Sequence, residues 1–317
     1  MAGILTSNGY LGFLKQVSKG TAIVPTVFAR LNAAESTEIV QEVAEFNTLN
    51  SNQLTDFILK TGTAPQGTFS CFARPVIAGY LLAYVLGADA VTGASSPYQH
   101  VLTRADAIPY ITVERKLISA ERIKDCKINQ LVISGEAGQP VILTASYLGK
   151  DAAIESAATP TYETNVPYMF FNGAYTFGGG ATSLISSFVI TISRNLIASK
   201  TTEITQYELD ETKFNVECAL RLKVEADTMY LANLYGASTA TVPALDDDAL
   251  TIDLTYGATA GLKELKFEIP ALKIISSKKA LDPNPNVLYL DVIARAVKSA
   301  SEIITVTCKN ELADDMV

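Results

Sequence analysis

The sequence predicts a mainly β protein, built as two tandem β-sandwich or barrel domains that each carry one short α-helix. Three observations predict it. A five-residue phrase occurs twice, as TEIVQ at 37–41 and as TEITQ at 202–206. Short runs alternating apolar and polar residues follow each phrase, as half-buried strands do. In each half one apolar run closed by a glycine reads as a single amphipathic helix, because only glycine takes the left-handed conformation after a helix cheaply.

The landmarks keep one order in both halves. After the repeated phrase, TFSCFA at 68–73 aligns with KFNVEC at 213–218, pairing Phe69 with Phe214. The offset falls because the first half carries a long loop, Glu42 to Gln66, where the second has only a short link. AGYLLAYVLGA at 78–88 then lies on DTMYLANLYGA at 227–237, ending at Gly87 and Gly236. ITVE at 111–114 matches LTID at 250–253, which makes Glu114 and Asp253 equivalent. KINQLVI at 127–133 matches EIPALKI at 268–274, and VILTASY at 141–147 matches VLYLDVI at 287–293. Six landmarks in one order point to duplication, with domains at 1–155 and 156–317. The Ala-, Thr- and Pro-bearing stretch 150–167 reads as the connection. Asn172-Gly173 after it reads as a hairpin turn, since that pair supplies positive φ angles easily.

Composition narrows the function. Of 317 residues, 48% are apolar and 18% charged, and the mean hydropathy is +0.22. Such a surface is expected to meet other subunits. No apolar run reaches the ~18 residues of a membrane span, and residues 1–20 lack the pattern of a secretory signal, so a soluble protein assembled in the cytoplasm is expected. A net charge of −8 disfavours gripping nucleic acid through phosphates, which needs clustered Lys and Arg.

Catalytic signatures are missing. Cys71, Cys126, Cys218 and Cys308 stand far apart without metal-ligand spacing, and read as small core residues. His100 has no nucleophile motif beside it and reads as structural. FGGGATS at 177–183 lacks a phosphate-binding lysine and reads as a hairpin tip. Asp246, Asp247 and Asp248 are consecutive, whereas calcium loops alternate their ligands, and DPNPN at 282–286 is turn chemistry. No enzyme, metal or cofactor is expected.

GYLGFLKQVSKGTAIVPTVF at 9–28 resembles the start of major tail tube proteins of long-tailed bacteriophages. CKINQLVISGEAGQPVILTASYLGKD at 126–151 and ATPTYETNVPYMFF at 158–171 resemble the same family, so the likeness covers most of 9–171. The resemblance implies tail-tube-like domains polymerised into stacked rings, a DNA channel in the virion tail, and tape-measure and tail-tip or terminator partners. Two tandem tube domains would form trimeric rings; a hexamer with one tube domain and one decoration domain is the other arrangement. Contractile tubes share the fold, and no sheath is legible here. The competing class is a β-sandwich binding module for protein or carbohydrate.

Two sets of residues carry these expectations. Glu114 and Asp253 are the candidate lumen-facing carboxylates, which would repel DNA phosphates; carboxylates exposed on an outer face are the alternative. The loop containing Glu42, Glu45, Phe46, Leu49, Leu54, Asp56 and Phe57, with Ile58 and Leu59, is the candidate contact between rings.

Overall fold

A computed structural model describes residues 9–46, 57–178, 180–199, 208–225, 248–257, 261–279, 288–299 and 302–317. TEITQ, the second helix expected at 227–237, Asp246, Asp247, DPNPN, Leu49, Leu54 and Asp56 lie outside the described residues. In chain order the elements are β1 (Tyr10–Lys15), β2 (Val27–Ala29), β3 (Ser36–Phe46), β4 (Phe57–Phe72), α1 (Pro75–Leu86), β5 (Gly87–Thr92), β6 (Tyr98–Arg104), β7 (Ile111–Lys116), β8 (Ala120–Glu136), β9 (Ile142–Leu148) and β10 (Asp151–Glu155). The second half continues with β11 (Gly173–Phe177), β12 (Gly180–Ala181), β13 (Ile185–Ser193), β14 (Leu196–Ser199), β15 (Glu208–Glu211), β16 (Asn215–Lys223), β17 (Asp248–Tyr256), β18 (Lys263–Lys279), β19 (Tyr289–Ala296) and β20 (Thr305–Asn310).

Two 17-residue strands organise the fold, about three times the usual strand length. The first part of β8 pairs with β7 and β10, and its second part with β9. β18 repeats the scheme with β17 and β20, then β19. Further pairings recur: β1–β7 as β11–β17, β1–β2 as β11–β12, and β4–β9 as β16–β19. Register shifts in β8 near Ile128 and in β18 near Ile274 mark the bends, as extra residues in a ladder do. Each long strand therefore joins an outer layer to one shared inner layer, ordered β4–β9–β8–β13–β16–β19–β18.

The core fills the space between the layers. Alternate residues point into it, including Leu131 and Ile133 of β8, Ile190 and Ile192 of β13, and Phe267 and Ile269 of β18. All four cysteines are buried there with free thiols. Burying such side chains stabilises the fold by about 25 cal/mol per Å² of apolar area.

Helix α1 corrects the amphipathic expectation. PVIAGYLLAYVL is apolar all round, with Ile77, Leu81, Leu82, Tyr84 and Leu86 buried alike, as a helix within a core should be. Gly87 closes it at φ 92°, as its position in sequence indicated. Asn172-Gly173 is not a hairpin turn: 170–172 form a 3-10 turn, and Gly173 is extended at φ −89°. The hairpin lies one strand later, where β11 pairs with β12. The connection is also shorter than expected, because 151–155 ladder onto β8 as β10.

Candidate functional site

The expected loop at 42–66 is, in its described residues 42–46 and 57–66, an antiparallel ribbon. β3 and β4 pair from Ser36↔Thr68 to Phe46↔Phe57, with a bulge between Glu42 and Val43. β-Branched and aromatic residues at Ile39, Val40, Val43, Phe46, Phe57 and Ile58 favour strands over loop. Beyond Gln66, where β9 joins β4, the ribbon leaves the inner layer. Val43, Phe57, Ile58 and Leu59 are each about half exposed. The Phe46 and Phe57 rings stack with centroids 5.2 Å apart. Glu42 and Glu45 stand on the same ribbon. Its counterpart in the second half is the shorter pair β14–β15.

A seam joins the two halves. β8 pairs with β13 from Gln130↔Ser193 to Glu136↔Ser187, edge to edge and antiparallel. Gln130 reinforces it with a 3.1 Å hydrogen bond to Ser193. Lys127 Nζ donates to the Leu209 carbonyl at 2.8 Å, and Tyr110 donates to Glu208 at 2.6 Å. The two outer limits of the inner layer differ. Among the described residues, β18 is laddered only to β19 over 274–278. At the other limit β4 is flanked by β3 over Gln66–Thr68 and bridged once to 30–35, Leu31↔Cys71.

The inner layer has one face in the core and one turned away from it. Four cross-strand rows order the outward one. The first is Thr68, Ser146, Gln130, Ser193 and Asn215, hydroxyls and amides throughout. The second runs Thr144, Val132, Thr191, Glu217 and Arg295. The third is small and apolar: Ile142, Ser134, Val189, Ala219 and Ile293. The fourth alternates charge along Glu136, Ser187, Arg221, Asp291 and Lys278.

The candidate lumen carboxylates are both on the outer layers. Glu114 is wholly buried in the isolated chain. Arg122 Nε donates to it at 2.7 Å, the Ala158 main-chain N–H at 2.9 Å, and the Tyr10 hydroxyl to its other side. Burial pushes this carboxyl up, but the three donors outweigh that and hold it below the usual carboxylate range. Its charge is thus spent on Arg122 beneath the connection. Asp253 sits cross-strand from Lys266 and is partly exposed. Burial, with Glu264 nearby, pushes its carboxyl up. The equivalence read from ITVE and LTID holds in one respect: each carboxylate faces a cation on the long strand beside it.

His100 is buried in β6 between Asp89, 2.9 Å from Nδ1, and the Leu312 carbonyl, 3.0 Å from Nε2. Asp89 also accepts from the Met316 N–H, so this histidine anchors the C-terminal segment. No group of three or more metal-ligating side chains occurs among the described residues, and no described helix is long and apolar enough to cross a membrane.

Two recurring sheet patterns, one seam and, among the described residues, one open limit define a β protein whose notable surfaces are an edge, a ribbon and a sheet face. A family model described as phage tail tube protein matches residues 6–295. The chain belongs to that family and is a structural component of the phage tail. No curated protein matches it. Sequence reading missed the seam and the rows, because strand neighbours far apart in sequence leave no local signal.

Proposed function

We propose that this chain polymerises into stacked rings forming a tail tube, through which DNA passes from capsid to host. The seam between β8 and β13 carries the reading. Within one chain it continues a sheet from one half to the other, and at one outer limit of the inner layer β18 presents an edge with no second ladder among the described residues. Open edges invite pairing with another chain, and a head-to-tail contact that closes by rotation gives a ring. In this reading 1–155 and 156–317 are two tube domains, and three chains complete a ring. The protein performs no catalysis; its partners are its own copies, the tape-measure protein and the tail-tip or terminator proteins.

The β3–β4 ribbon makes the contact between rings. It exposes apolar side chains on both faces, Phe46, Phe57 and Leu59 on one and Val43 and Ile58 on the other, and exposed apolar surface of this kind marks an interaction surface. Leu49, Leu54 and Asp56 extend the same mixture of side chains in sequence.

Negative-stain electron microscopy of concentrated protein tests the reading. Stacked rings with a central hole and six peripheral lobes are expected, with a mass of three chains per ring. Six chains per ring would replace the trimer with a hexamer. Dispersed monomers at every concentration, also in the presence of tail-tip complex, would remove the tube reading.

A further inference from the structure

The chain carries a net charge of −8, yet the outward face of the inner layer does not share this excess. Its described rows hold Glu136, Glu217 and Asp291 against Arg221, Arg295, Lys273 and Lys278. Both arginines are engaged across the strand gap. Arg295 Nε donates to Glu217 at 3.1 Å, and Asn215 also donates to that carboxylate at 3.0 Å. Arg221 Nε lies 3.8 Å from Asp291, with its guanidinium 4.5 Å over the Tyr289 ring. Arg295 spends two donors on one oxygen of Glu217, whereas Arg221 faces Asp291 through charge alone, beyond hydrogen-bond distance; a guanidinium released from its carboxylate binds phosphate strongly.

Geometry indicates where this face turns. Both outer layers and the core lie on the other side of the inner layer. A ring closed through the edges of the inner layer must carry that bulk outside, leaving the row-bearing face concave. In the tube reading this face lines the channel, and we propose that Glu217 and Asp291 mask Arg295 and Arg221 there from DNA phosphates, by hydrogen bonds in the first pair and by charge alone in the second. The proposal rests on the tube reading. It places hydroxyls and matched charges at the lumen, in place of the carboxylates Glu114 and Asp253.

Masking separates this wall from one that merely repels. Arginine–phosphate contacts release counterions and hold DNA without regard to sequence, with steep salt dependence. Deleting the masks should therefore create retention. The double variant Glu217→Gln, Asp291→Asn is compared with the unmodified chain and with a charge-matched control, Glu302→Gln, Asp315→Asn, elsewhere on the surface. The probe is a short fluorescent DNA duplex, added to the dispersed chain at low and at physiological ionic strength. The expected result is affinity about tenfold or more above the unmodified chain and lost with salt, with no gain in the control. Absence of a gain, or an equal gain in the control, overturns the masking.

Placement is read separately in assembled tubes carrying Ser146→Cys or Thr191→Cys. A small maleimide should label them, and a protein-sized maleimide reagent should not. Equal labelling by both puts the face outside and overturns the wall while the tube reading stands. Failure of the unmodified chain to assemble, also in the presence of tail-tip complex, would remove the tube reading, and the wall with it.

Discussion

Glu163 and Arg194 grip opposite ends of helix α1, and both come from beyond the first half that forms it. Arg74 at the N-cap provides no side-chain cap. The Glu163 carboxylate instead accepts from the Val76 and Ile77 N–H groups at 2.9 and 3.1 Å. At the other end Arg194, wholly buried, donates to the Val85 carbonyl at 2.6 Å, to the Leu86 carbonyl, and to Ala105 at 2.9 Å. An anion at the N-terminus and a cation at the C-terminus each complement the helix dipole. Glu211 completes the charge balance by pairing with Arg194. Replacing Arg194 by methionine leaves three carbonyls and Glu211 without it, and should cost about 3–5 kcal/mol in denaturant unfolding. Lysine should not restore the loss, because its ammonium cannot reproduce the planar fork. Full stability in Arg194→Met would show that the cap is dispensable.

Gly87 ends the same helix in a space closed to any side chain. At φ +92°, a Cβ would stand 2.7 Å from the Ala107 carbonyl oxygen. Gly87→Ala should therefore cost more than the ~1 kcal/mol of a left-handed alanine alone. Thermal unfolding measures it, and an unchanged midpoint would show that 105–108 can retreat freely.

The buried carboxylate Glu114 ties stability to acid. Its folded pKa lies below the ordinary glutamate value, so its contribution is present above about pH 4.3 and is lost as pH falls through the folded value. Unfolding free energy should drop on that acid limb, and Glu114→Gln should lack this component. The same variant should lose roughly 3 kcal/mol at neutral pH, because buried Arg122 loses its close counter-charge and keeps only Glu155 at 3.7 Å. An identical acid limb in both proteins would assign the effect to other carboxylates.

His100 has the opposite sign. Burial pushes its pKa down, but Asp89 and the Leu312 carbonyl outweigh that and raise it. Its contribution is fully present below the unfolded value, about 6.5, and declines as pH rises through the folded one. Since Asp89 also holds Met316, amide exchange near the C-terminus should quicken over that rise. Exchange that ignores pH, after correction for its intrinsic rate, would dismiss the link.

How much of this was legible follows from which interactions are local. Alternation and glycine placement marked β7, β8, β9 and the end of α1, because each depends on neighbours within a few residues. Register is not local. Tyr147 pairs with Ile128, and Ala294 with Ile274, each at the bend of its long strand, so the ladders align Tyr147 with Ala294, one residue from its match in the sequence repeat. An odd shift exchanges faces, and the wall could not be drawn until the ladders fixed it. The same ladders place Cys71 opposite Leu143 and Cys218 opposite Ala294. With Tyr147 matched to Ala294, Gly67 answers to Cys218, so the two buried thiols are not equivalent and Phe69 shifts from Phe214 to Leu220. Glu114 misled for a related reason: its burial comes from Ala158 and Ser156 of the connection, which no strand pattern reveals.

The ribbon gives the sharpest test of stacking. Phe46 and Phe57 face each other across β3 and β4, and exposure of 43% and 49% shows that neither supports the core. Their mutual stacking contributes about 0.5–1.5 kcal/mol within the ribbon, so Phe46→Ser, Phe57→Ser should leave global unfolding nearly unchanged. Assembly should respond differently, because apolar surface buried between rings drives association in proportion to its area. Sedimentation is expected to find closed rings without long tubes, while the unmodified chain sediments as tubes under the same conditions. Tubes of ordinary length from the double variant would take the ribbon out of the ring-to-ring contact. Dispersed chains without rings would place it in the ring seam instead.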